Sequence, residues 1–394
     1  MATEVYLDNN ATTRPLAEVR AAMLEALGDA FGNPSSAHEA GERGREHLRI
    51  ARDAVTNLIG AASGQLIFTG SGTEANAMVL GSAFARRTKA RIVTTNTEHS
   101  SILKTCEHMI SLGSEVVFLP VNADGVIDLD QLDAAVTPDT DLVSLQWVNN
   151  ETGVVQPVRQ AFENCRRKGV PFHADAAQAV GKTPIDLTKF PVDFLTLTAH
   201  KFHGPQGVGA AYARSPRQLQ PLFFGGDQEY GLRAGTENVP GIVGMGKAAE
   251  LRHQRFATVV KRVSKLRNEF EKRICELLPD VRINGQAASR VCNTSNLLFV
   301  GIDGQALVAH LDQDGIRCSQ SSACTNQRPE PSYVLRAMGL SEEEAFASVR
   351  FGFSEENTEQ EIGYVTERMV KHCLRLRQFR RQFFPTSQLT GEIS

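Results

Sequence analysis

The sequence predicts an α/β fold built on a mostly parallel sheet. Between about residues 60 and 215, short apolar runs alternate with helix-like stretches, as in a parallel sheet covered by helices on both faces. The runs predicted as strands are residues 66–69, 91–94, 116–119, 142–147, 170–173 and 194–197. Polar segments follow directly after four of them. Because ligands of such sheets collect at the carboxyl ends of the strands, we expect one site there.

The chain is long enough for two domains. Its 394 residues, 41% of them apolar, exceed one ordinary hydrophobic core. Residues 256–278 have the amphipathic pattern of a long helix, and we expect this helix to connect the domains. Beyond it, a smaller α+β unit is predicted from residues 296–300, 304–312 and 348–353. We therefore expect a large domain over 16–258 and a small one over 1–15 and 259–394.

Charge and cysteine content argue against several classes of function. A net charge of −3 without a block of like charges gives no reason to expect direct contact with nucleic acid or a membrane. We expect no targeting segment, because no basic and apolar leader pattern is present. The seven cysteines show neither a disulfide framework nor paired zinc spacing. A reducing compartment is therefore expected, either the bacterial cytoplasm or an organelle matrix.

A carboxylate and a lysine in two nearby motifs predict the chemistry. Asp175 lies in His-Ala-Asp-Ala-Ala-Gln, and Lys201 ends the segment Thr-Ala-His-Lys. A lysine amine can form a Schiff base with the aldehyde of pyridoxal phosphate, and a carboxylate can keep the pyridine nitrogen protonated. A charge pair at about 4 Å is worth roughly 4 kcal/mol at an effective dielectric of about 20, enough to hold that proton. These two residues alone also fit a strand-end aspartate and a solvated loop lysine.

A glycine-rich turn predicts a phosphate site. The segment Gly-Ser-Gly-Thr-Glu-Ala-Asn over 70–76 lies between a predicted strand and a helix. Glycines there let an anion approach the backbone, and the helix N–H groups point at it. The Walker and dinucleotide-binding patterns are absent, and an ordinary surface turn fits equally well. Thr198 and His200 can add donors to the same phosphate, and a hydroxyl from a partner subunit can complete the site.

Three further side chains suit the same chemistry. His99, just past a strand, can stack on an aromatic cofactor or move a proton, although an ordinary loop histidine has the same pattern. Gln178 lies one helical turn beyond Asp175, and we expect both on one helix face, from which Gln178 can donate to the phenolic oxygen of the cofactor. Arg350 can bind a substrate carboxylate through its fork of donors, or form an interdomain ion pair.

The histidines do not predict a metal site. His173, His200 and His203 lack the helical spacing of zinc peptidases. The neighbouring Lys201 would also repel a cation. We therefore expect no bound metal.

A cysteine in a polar loop is the second strong signal. Cys324 lies in Ser-Ser-Ala-Cys-Thr-Asn-Gln-Arg-Pro, so we expect it to be exposed on a mobile loop. Cys318 is closer to an apolar strand and is expected to be structural. A thiol with a pKa of about 8.5 is only slightly ionised at neutral pH, so a nearby base or cation must activate Cys324.

Taken together, the motifs resemble the cysteine desulfurases of the NifS and IscS type, in the class-V aminotransferase family. The resemblance covers nearly the whole chain and includes Leu-Asp-Asn-Asn-Ala-Thr-Thr and Asn-Asn-Glu-Thr-Gly. The segments that carry it are residues 7–13, 32–38, 71–74, 98–99, 149–153, 173–178, 200–201, 233–236 and 322–324. It implies pyridoxal phosphate fold type I, with a mostly parallel seven-stranded sheet in the large domain, and a homodimer.

The resemblance also implies a role for each candidate residue. Lys201 would bind the cofactor aldehyde, Asp175 would pair with the pyridine nitrogen, and Gln178 would contact the phenolic oxygen. His99 would lie over the ring. The phosphate would be held by Gly72, Thr73, Thr198 and His200, together with Thr236 of the other subunit, and Arg233 would lie near that interface. Asn150 and Arg350 would receive the substrate carboxylate.

The implied reaction removes sulfur from L-cysteine and releases alanine. The substrate displaces Lys201 from the cofactor, the freed amine removes the Cα proton, and the ring holds the resulting carbanion. The Cys324 thiolate, whose proton His99 would accept or return, then attacks the substrate sulfur. The sulfur stays on Cys324 as a persulfide. Loop motion would deliver this sulfur to an acceptor protein, for iron–sulfur cluster assembly or tRNA thiolation.

Two departures and two alternatives stay open. Asn326 stands where relatives commonly carry a small residue, and the tail over 377–394 does not match the segment associated with docking of the iron–sulfur scaffold, so the acceptor is open. Selenocysteine lyases and other class-V pyridoxal phosphate aminotransferases or lyases would share Lys201 and Asp175, and Cys324 separates the desulfurase from them. A cofactor-free scaffold protein with the same fold is the second alternative.

Overall fold

The computed structural model describes residues 4–61, 66–87, 89–320 and 330–383. Its strands are β1 Val5–Tyr6, β2 Leu66–Thr69, β3 Arg91–Thr95, β4 Glu115–Leu119, β5 Leu142–Gln146, β6 Phe172–Asp175, β7 Phe194–Thr198, β8 Gly209–Ala213, β9 Val281–Ile283, β10 Thr294–Phe299, β11 Ile316–Arg317, β12 Ser319–Gln320 and β13 Ser348–Gly352. Its α-helices are α1 Ala17–Asp29, α2 Glu39–Leu58, α3 Gly72–Arg86, α4 Ser100–Ser111, α5 Leu129–Ala135, α6 Val158–Arg167, α7 Val239–Leu277, α8 Gly304–Gln313, α9 Tyr333–Ala337, α10 Glu342–Phe346 and α11 Glu359–Phe383.

A seven-stranded sheet forms the centre of the larger part of the molecule, in the order β2-β8-β7-β6-β5-β3-β4. The neighbours from β7 to β4 pair in parallel, whereas β8 runs antiparallel to both β2 and β7. Successive strand residues enter different apolar cores: Ile92 packs in one and Val93 in the other, and Phe194 and Leu195 are divided in the same way. This alternation shows that both faces of the sheet are covered. The predicted α/β fold is confirmed.

A smaller antiparallel sheet stands beside the first. Its order is β12-β13-β10-β9. Helix α8 packs on β12 and β13, and α11 packs on α8, which together form the predicted α+β unit. The N-terminal strand belongs to this part, because Val5 pairs with Ile316 and Asp8 forms a bridge to Gly352. The predicted domain bounds stay a prediction, and the boundary at 258 falls inside the single long helix α7.

Three elements differ from the sequence-based expectation. Helix α7 begins at Val239, not at residue 256, because its glycine-rich first half packs closely against α2 and so overrides a weak helix propensity. Strand β6 covers Phe172–Asp175, not 170–173, since Pro171 has no N–H to donate and Phe172 N donates to the Asp193 carboxylate. Strand β8, rich in alanine, was not among the predicted strands.

Within the described residues, no helix has both the length and the apolarity that crossing a membrane requires.

Gly246 tests the close packing of α7 on α2. A Cβ at this position would lie 2.5 Å from Ala51 Cα, which no side-chain rotation can relieve. We expect Gly246→Ala to lower the free energy of unfolding by about 1–3 kcal/mol, because overpacking outweighs the gain in helix propensity. Gly28→Ala in α1 is the matched control: nothing lies within 4 Å of the added Cβ, so it should leave stability unchanged or raise it slightly. Denaturant unfolding measures both. Equal effects of the two substitutions would contradict this packing argument.

Candidate active site

The chemistry-bearing segments meet at one edge of the central sheet. β2 and the parallel strands point the same way, because β8 reverses direction between β2 and β7. The glycine-rich turn follows β2, His99 follows β3, Asn150 follows β5, and Asp175 ends β6. Lys201 lies just beyond β7, at the end of the short 3-10 turn Ala199–Lys201. The structure therefore brings the predicted residues to one rim.

Asp175 is a buried carboxylate in a fixed orientation. It is 2% exposed and pairs with Thr196 of β7 in the parallel register. Oδ2 accepts a hydrogen bond from Asn76 Nδ2 at 2.8 Å, and Oδ1 accepts the backbone N–H of Ala177 at 3.0 Å. Asn76 also accepts from Thr196 Oγ1, which fixes its amide. Sequence reasoning gave Asn76 no role, although it ends the glycine-rich motif.

Lys201 and Gln178 converge on one carbonyl of the N-terminal segment. Lys201 Nζ donates to Asn10 O at 2.6 Å and to Ala11 O at 2.7 Å, and Gln178 Nε2 donates to Asn10 O at 2.9 Å. The expectation that Gln178 and Asp175 share a helix face was wrong: Asp175 ends a strand, and the residues after it form turns, not a helix. Lys182 Nζ donates to Gln178 Oε1 at 2.7 Å, so the amide nitrogen of Gln178 faces Asn10.

His99 lies close enough to both Asp175 and Lys201 to respond to their charges. Burial lowers the pKa of His99, Asp175 opposes this shift and Lys201 adds to it. Its Nδ1 accepts the backbone N–H of Ser101 at 3.2 Å and so caps α4. The neutral ring then carries its proton on Nε2. A neutral imidazole beside a lysine and an aspartate can lie against an aromatic ring.

Glu98 is a second buried carboxyl group that sequence reasoning did not single out. Its Oε1 accepts from Thr95 Oγ1 at 2.8 Å and from Gln146 N at 3.0 Å, whereas Oε2 has no hydrogen-bond partner among the described residues. Burial raises the pKa of Glu98 to about 8, and Asp175 adds to the rise. Glu98 is therefore neutral at pH 7.

The glycine-rich turn approaches β7 and β8 closely. Ser71 caps α3 by accepting Glu74 N at 3.1 Å, and a Cβ on Gly72 would lie 3.4 Å from Thr198 Cβ. A Cβ on Gly209 would lie 2.4 Å from the Ser71 carbonyl carbon, so β8 needs a glycine there. Thr73 lies in the first turn of α3, whose N–H groups point out of the helix. This end of the helix suits an anion.

The other residues predicted to bind the phosphate are Thr198 and His200, at and just after the end of β7, and Thr236, before α7. Thr198 Oγ1 donates to Val208 O at 3.1 Å, and His200 Nδ1 lies 3.2 Å from Thr12 Oγ1. Burial lowers the pKa of His200 to about 4, with a further contribution from Lys201, so this ring is neutral. Thr236 lies in an exposed segment before α7. No hydrogen bond connects Thr236 to these residues within the described part of its own chain.

Arg350 and Asn150 lie together beside the N-terminal motif. The guanidinium of Arg350 is 7% exposed and donates to Asp8 Oδ1 at 2.8 Å and to Asn150 O at 3.2 Å. Asn150 Oδ1 accepts from Gln146 Nε2 at 3.0 Å. Arg350 Nε is buried without a hydrogen-bond partner among the described residues. The ion pair is thus present, with Asp8 as its partner, and the role of Arg350 as a carboxylate receptor stays a prediction.

Cys324 lies outside the described residues, as does Asn326, but the downstream flank of their loop is visible. Tyr333 OH donates to Glu98 O at 2.6 Å, and Ser332 Oγ donates to Glu151. Both acceptors adjoin predicted site residues, His99 and Asn150. Cys318 lies between β11 and β12, and burial raises its pKa, as expected of a structural thiol.

The histidines of the metal hypothesis have other partners. His173 Nδ1 lies 2.9 Å from Ser144 Oγ and Nε2 lies 3.0 Å from Thr196 Oγ1, and burial lowers its pKa to about 4. The described residues contain no group of three or more metal-binding side chains.

The donor set fits pyridoxal phosphate. Asp175 supplies a buried negative charge for a protonated ring nitrogen, and Lys201 supplies a primary amine for an aldehyde. The glycine turn and α3 supply backbone N–H groups for the phosphate. One rim therefore contains partners for the ring nitrogen, the aldehyde and the phosphate of this cofactor.

Comparisons with known proteins agree with this geometry. Residues 5–365 match the model of the family "Aminotransferase class-V". The chain is 43% identical over 374 residues to a cysteine desulfurase of Trichormus azollae, with 95% of this chain and 94% of that protein covered. It is 39% identical over 388 residues to the cysteine desulfurase IscS of Dictyoglomus turgidum, covering 97% and 98%. A solved NifS-like protein superposes with a TM-score of 0.89 at 34% identity, over 95% of this chain and all of that one (100%). The chain therefore belongs to the class-V aminotransferases and, within them, to the cysteine desulfurases, which depend on pyridoxal phosphate.

Proposed function

We propose that this cysteine desulfurase holds its cofactor through Lys201 and Asp175 and keeps the sulfur of L-cysteine as a persulfide on Cys324. The observation that carries the proposal is the placement of a lysine amine and a buried carboxylate after two neighbouring strands, with His99 close to both. Bound there, pyridoxal phosphate draws electrons from the substrate Cα and so makes its proton acidic.

Lys201 serves as both anchor and base in this proposal. Its Nζ lies against two backbone carbonyls, Asn10 O and Ala11 O, which favour the protonated amine. The same segment would hold the Lys201 amine at the site whenever it is not bound to the cofactor. Lys201 can then receive the Cα proton, and the carbonyls stabilise the ammonium that forms.

Asp175 and Glu98 are both buried, and each accepts two hydrogen bonds. Glu98 is nevertheless neutral at pH 7, because burial raises its pKa to about 8. A neutral Glu98 does not compete with Asp175 for a positively charged group. We therefore assign the ring nitrogen of the cofactor to Asp175.

Arg350 and Asn150 are the proposed receptors of the substrate carboxylate. The ion pair with Asp8 orients the guanidinium group of Arg350 before the substrate binds. The buried Nε of Arg350 retains an unused donor among the described contacts.

We propose a homodimer in which Thr236 enters the phosphate site of the partner subunit. Large apolar side chains are exposed near Thr236, with Phe224 at 89% and Tyr230 at 63% exposure. Large apolar side chains exposed within one short stretch of the chain favour an interaction surface there. A second copy of the chain would cover it and place two Thr236 hydroxyls at two sites.

The sulfur acceptor is proposed to be a carrier or scaffold protein that serves iron–sulfur cluster assembly or tRNA thiolation. Sulfur in persulfide form can be passed to another thiolate by attack on the outer sulfur. The six cysteines in the described residues are free thiols, which supports a reducing compartment, either the bacterial cytoplasm or an organelle matrix.

Replacing the proposed nucleophile separates cofactor chemistry from sulfur transfer. We expect Cys324→Ala to keep the visible absorbance of the bound cofactor and to lose release of sulfide from cysteine under reductant. Cys275→Ala on α7 is the matched control and should retain activity, whereas Lys201→Ala should lose the absorbance band. Undiminished sulfide release by Cys324→Ala would rule out the persulfide route.

Arg350→Gln tests the carboxylate site. We expect KM for cysteine to rise by about tenfold or more, because one charge-assisted contact is lost, while the cofactor absorbance is unchanged. Arg317→Gln, which removes a more exposed ion pair in the same part of the molecule, should leave KM unchanged. Steady-state kinetics with cysteine measures both. An unchanged KM for Arg350→Gln would show that the substrate carboxylate binds elsewhere.

The raised pKa of Glu98 predicts a pH-dependent stability. Because the folded pKa of about 8 exceeds the ordinary value of 4.5, its contribution is full below pH 4.5 and is lost as the pH rises through 8. We expect the free energy of unfolding to fall less between pH 5 and about 9 in Glu98→Gln than in the wild type. Denaturant unfolding across this range measures the difference, with the exposed Glu115→Gln as control. Parallel profiles for Glu98→Gln and the wild type would contradict a buried, neutral Glu98.

A further inference from the structure

Three consecutive residues between β8 and α7 have a left-handed backbone. The φ angles of Glu229, Tyr230 and Gly231 are 47°, 62° and 76°. Glycine adopts this region without strain, but the two side chains before it do not. Neighbouring strained residues persist where the surrounding contacts impose them, and they cluster at functional sites. The turn therefore requires a structure that holds it.

Glu229 holds the turn from inside the protein. Its side chain is 2% exposed, and its two oxygens accept from Arg52 of α2 at 2.6 and 3.0 Å. The same carboxylate accepts the backbone N–H of Phe68 at 2.8 Å, in the strand that leads into the glycine-rich turn. Arg52 also donates to Leu66 O, and its guanidinium lies between the rings of Phe68, at 4.7 Å, and Tyr230, at 5.5 Å. One ion pair thus connects the strained turn to α2 and β2.

A second ion pair holds the same segment a few residues later. Arg233 Nε donates to Glu74 Oε1 at 3.0 Å, and Glu74 Oε2 accepts Gly70 N at 2.8 Å. Within the segment, Gln228 Oε1 accepts Gly235 N at 3.1 Å. Residues 228–235 are therefore fixed to both sides of the glycine-rich turn. Thr236 is the next residue, and it is exposed.

A buried ion pair is weak evidence for stability, because the cost of removing two charges from water offsets their attraction. The two parallel hydrogen bonds between Arg52 and Glu229 do, however, fix the orientation of the two side chains relative to each other. Such a pair suits a segment that must project one hydroxyl to a defined place. The strain at Glu229 and Tyr230 has the same explanation.

We infer that the ion pair between Arg52 and Glu229 is a positioning device for the partner's cofactor site. It holds residues 228–235 against β2 of its own subunit, so that Thr236 reaches the phosphate site of the other subunit. The inference rests on the homodimer and on the role of Thr236 proposed above. Arg52 and Glu229 touch neither cofactor nor substrate in this arrangement, and they act through Thr236.

Heterodimers in which only one subunit keeps Lys201 test whether the ion pair acts on the cofactor site of the other subunit. The site that keeps Lys201 is called the live site. In the first arrangement, a Lys201→Ala subunit is paired with a Glu229→Gln subunit, so the live site receives Thr236 from a subunit with an intact ion pair. In the second, a Lys201→Ala, Glu229→Gln subunit is paired with wild type, so the live site receives Thr236 from the altered subunit. Co-expression with two affinity tags isolates each pair, and the visible absorbance gives the dissociation constant of pyridoxal phosphate.

We expect about tenfold weaker binding of pyridoxal phosphate in the second arrangement than in the first, because only its live site lacks a positioned Thr236. The first should match a control pair of Lys201→Ala with wild type. Arg52→Lys, which keeps the charge but loses the fork, replaces Glu229→Gln if that variant does not fold. Arg49→Gln, which breaks an exposed ion pair on the same helix, is the matched control and should leave the constant unchanged.

Equal weakening in both arrangements, weakening confined to the first, or no weakening would overturn the inference. The mass of the wild type in solution tests the homodimer separately. A monomer that binds the cofactor fully would overturn the homodimer and, with it, this inference, whereas a dimer with equal arrangements would overturn the positioning role alone.

Discussion

Asp175 at the end of β6 and Lys201 just after β7 are brought together by the parallel pairing of these two strands, and this pairing determines the form of the site. The register sets Asp175 beside Thr196, and the chain needs only the short turn after β7 to bring Lys201 to the same rim. Strand β8 then returns antiparallel along β7 and closes the gap to β2. Its first residue, Gly209, lies against the glycine-rich turn. The same topology thus supplies the carboxylate, the amine and the phosphate turn.

Burial selects which groups of the site are charged. It raises the pKa of Glu98 to about 8 and that of Glu151 to about 7, and it lowers the pKa of His200 to about 4. Burial also lowers the pKa of Lys182 to about 7, with Lys201 adding to the shift. Several ionisable groups near the cofactor site are therefore wholly or partly neutral near pH 7. The electrostatic field there is dominated by the few groups that keep ion-pair or hydrogen-bond partners.

Much of this arrangement could be predicted from the sequence. Five apolar strands of the central sheet were placed to within one residue at each end, and the polar residues after them led to Lys201, Asp175 and His99. Hydrophobic periodicity missed β8 because its side chains are small. It placed the start of α7 too late because the glycines there lower helix propensity but allow the helix to pack closely on α2. Both errors concern elements whose stability comes from tertiary contacts.

The supporting residues were beyond sequence reasoning for a different reason. Asn10 and Asn76 lie inside motifs that were recognised, but their roles depend on long-range partners: the Asn10 carbonyl accepts from Gln178, and the Asn76 amide donates to Asp175. Glu229 and Arg52 are far apart in sequence, and their pairing follows only from the position of β2 between them. Long-range partners of this kind carry no local pattern.

Chemical trapping of the bound cofactor tests whether Lys201 is the lysine that holds it. Borohydride reduction of the holoenzyme, followed by proteolysis and mass spectrometry, identifies the lysine that is covalently attached to pyridoxal phosphate. We expect a single modified peptide that carries the label on Lys201. A label on Lys182, which lies in the same buried region, or no labelled lysine at all, would contradict it.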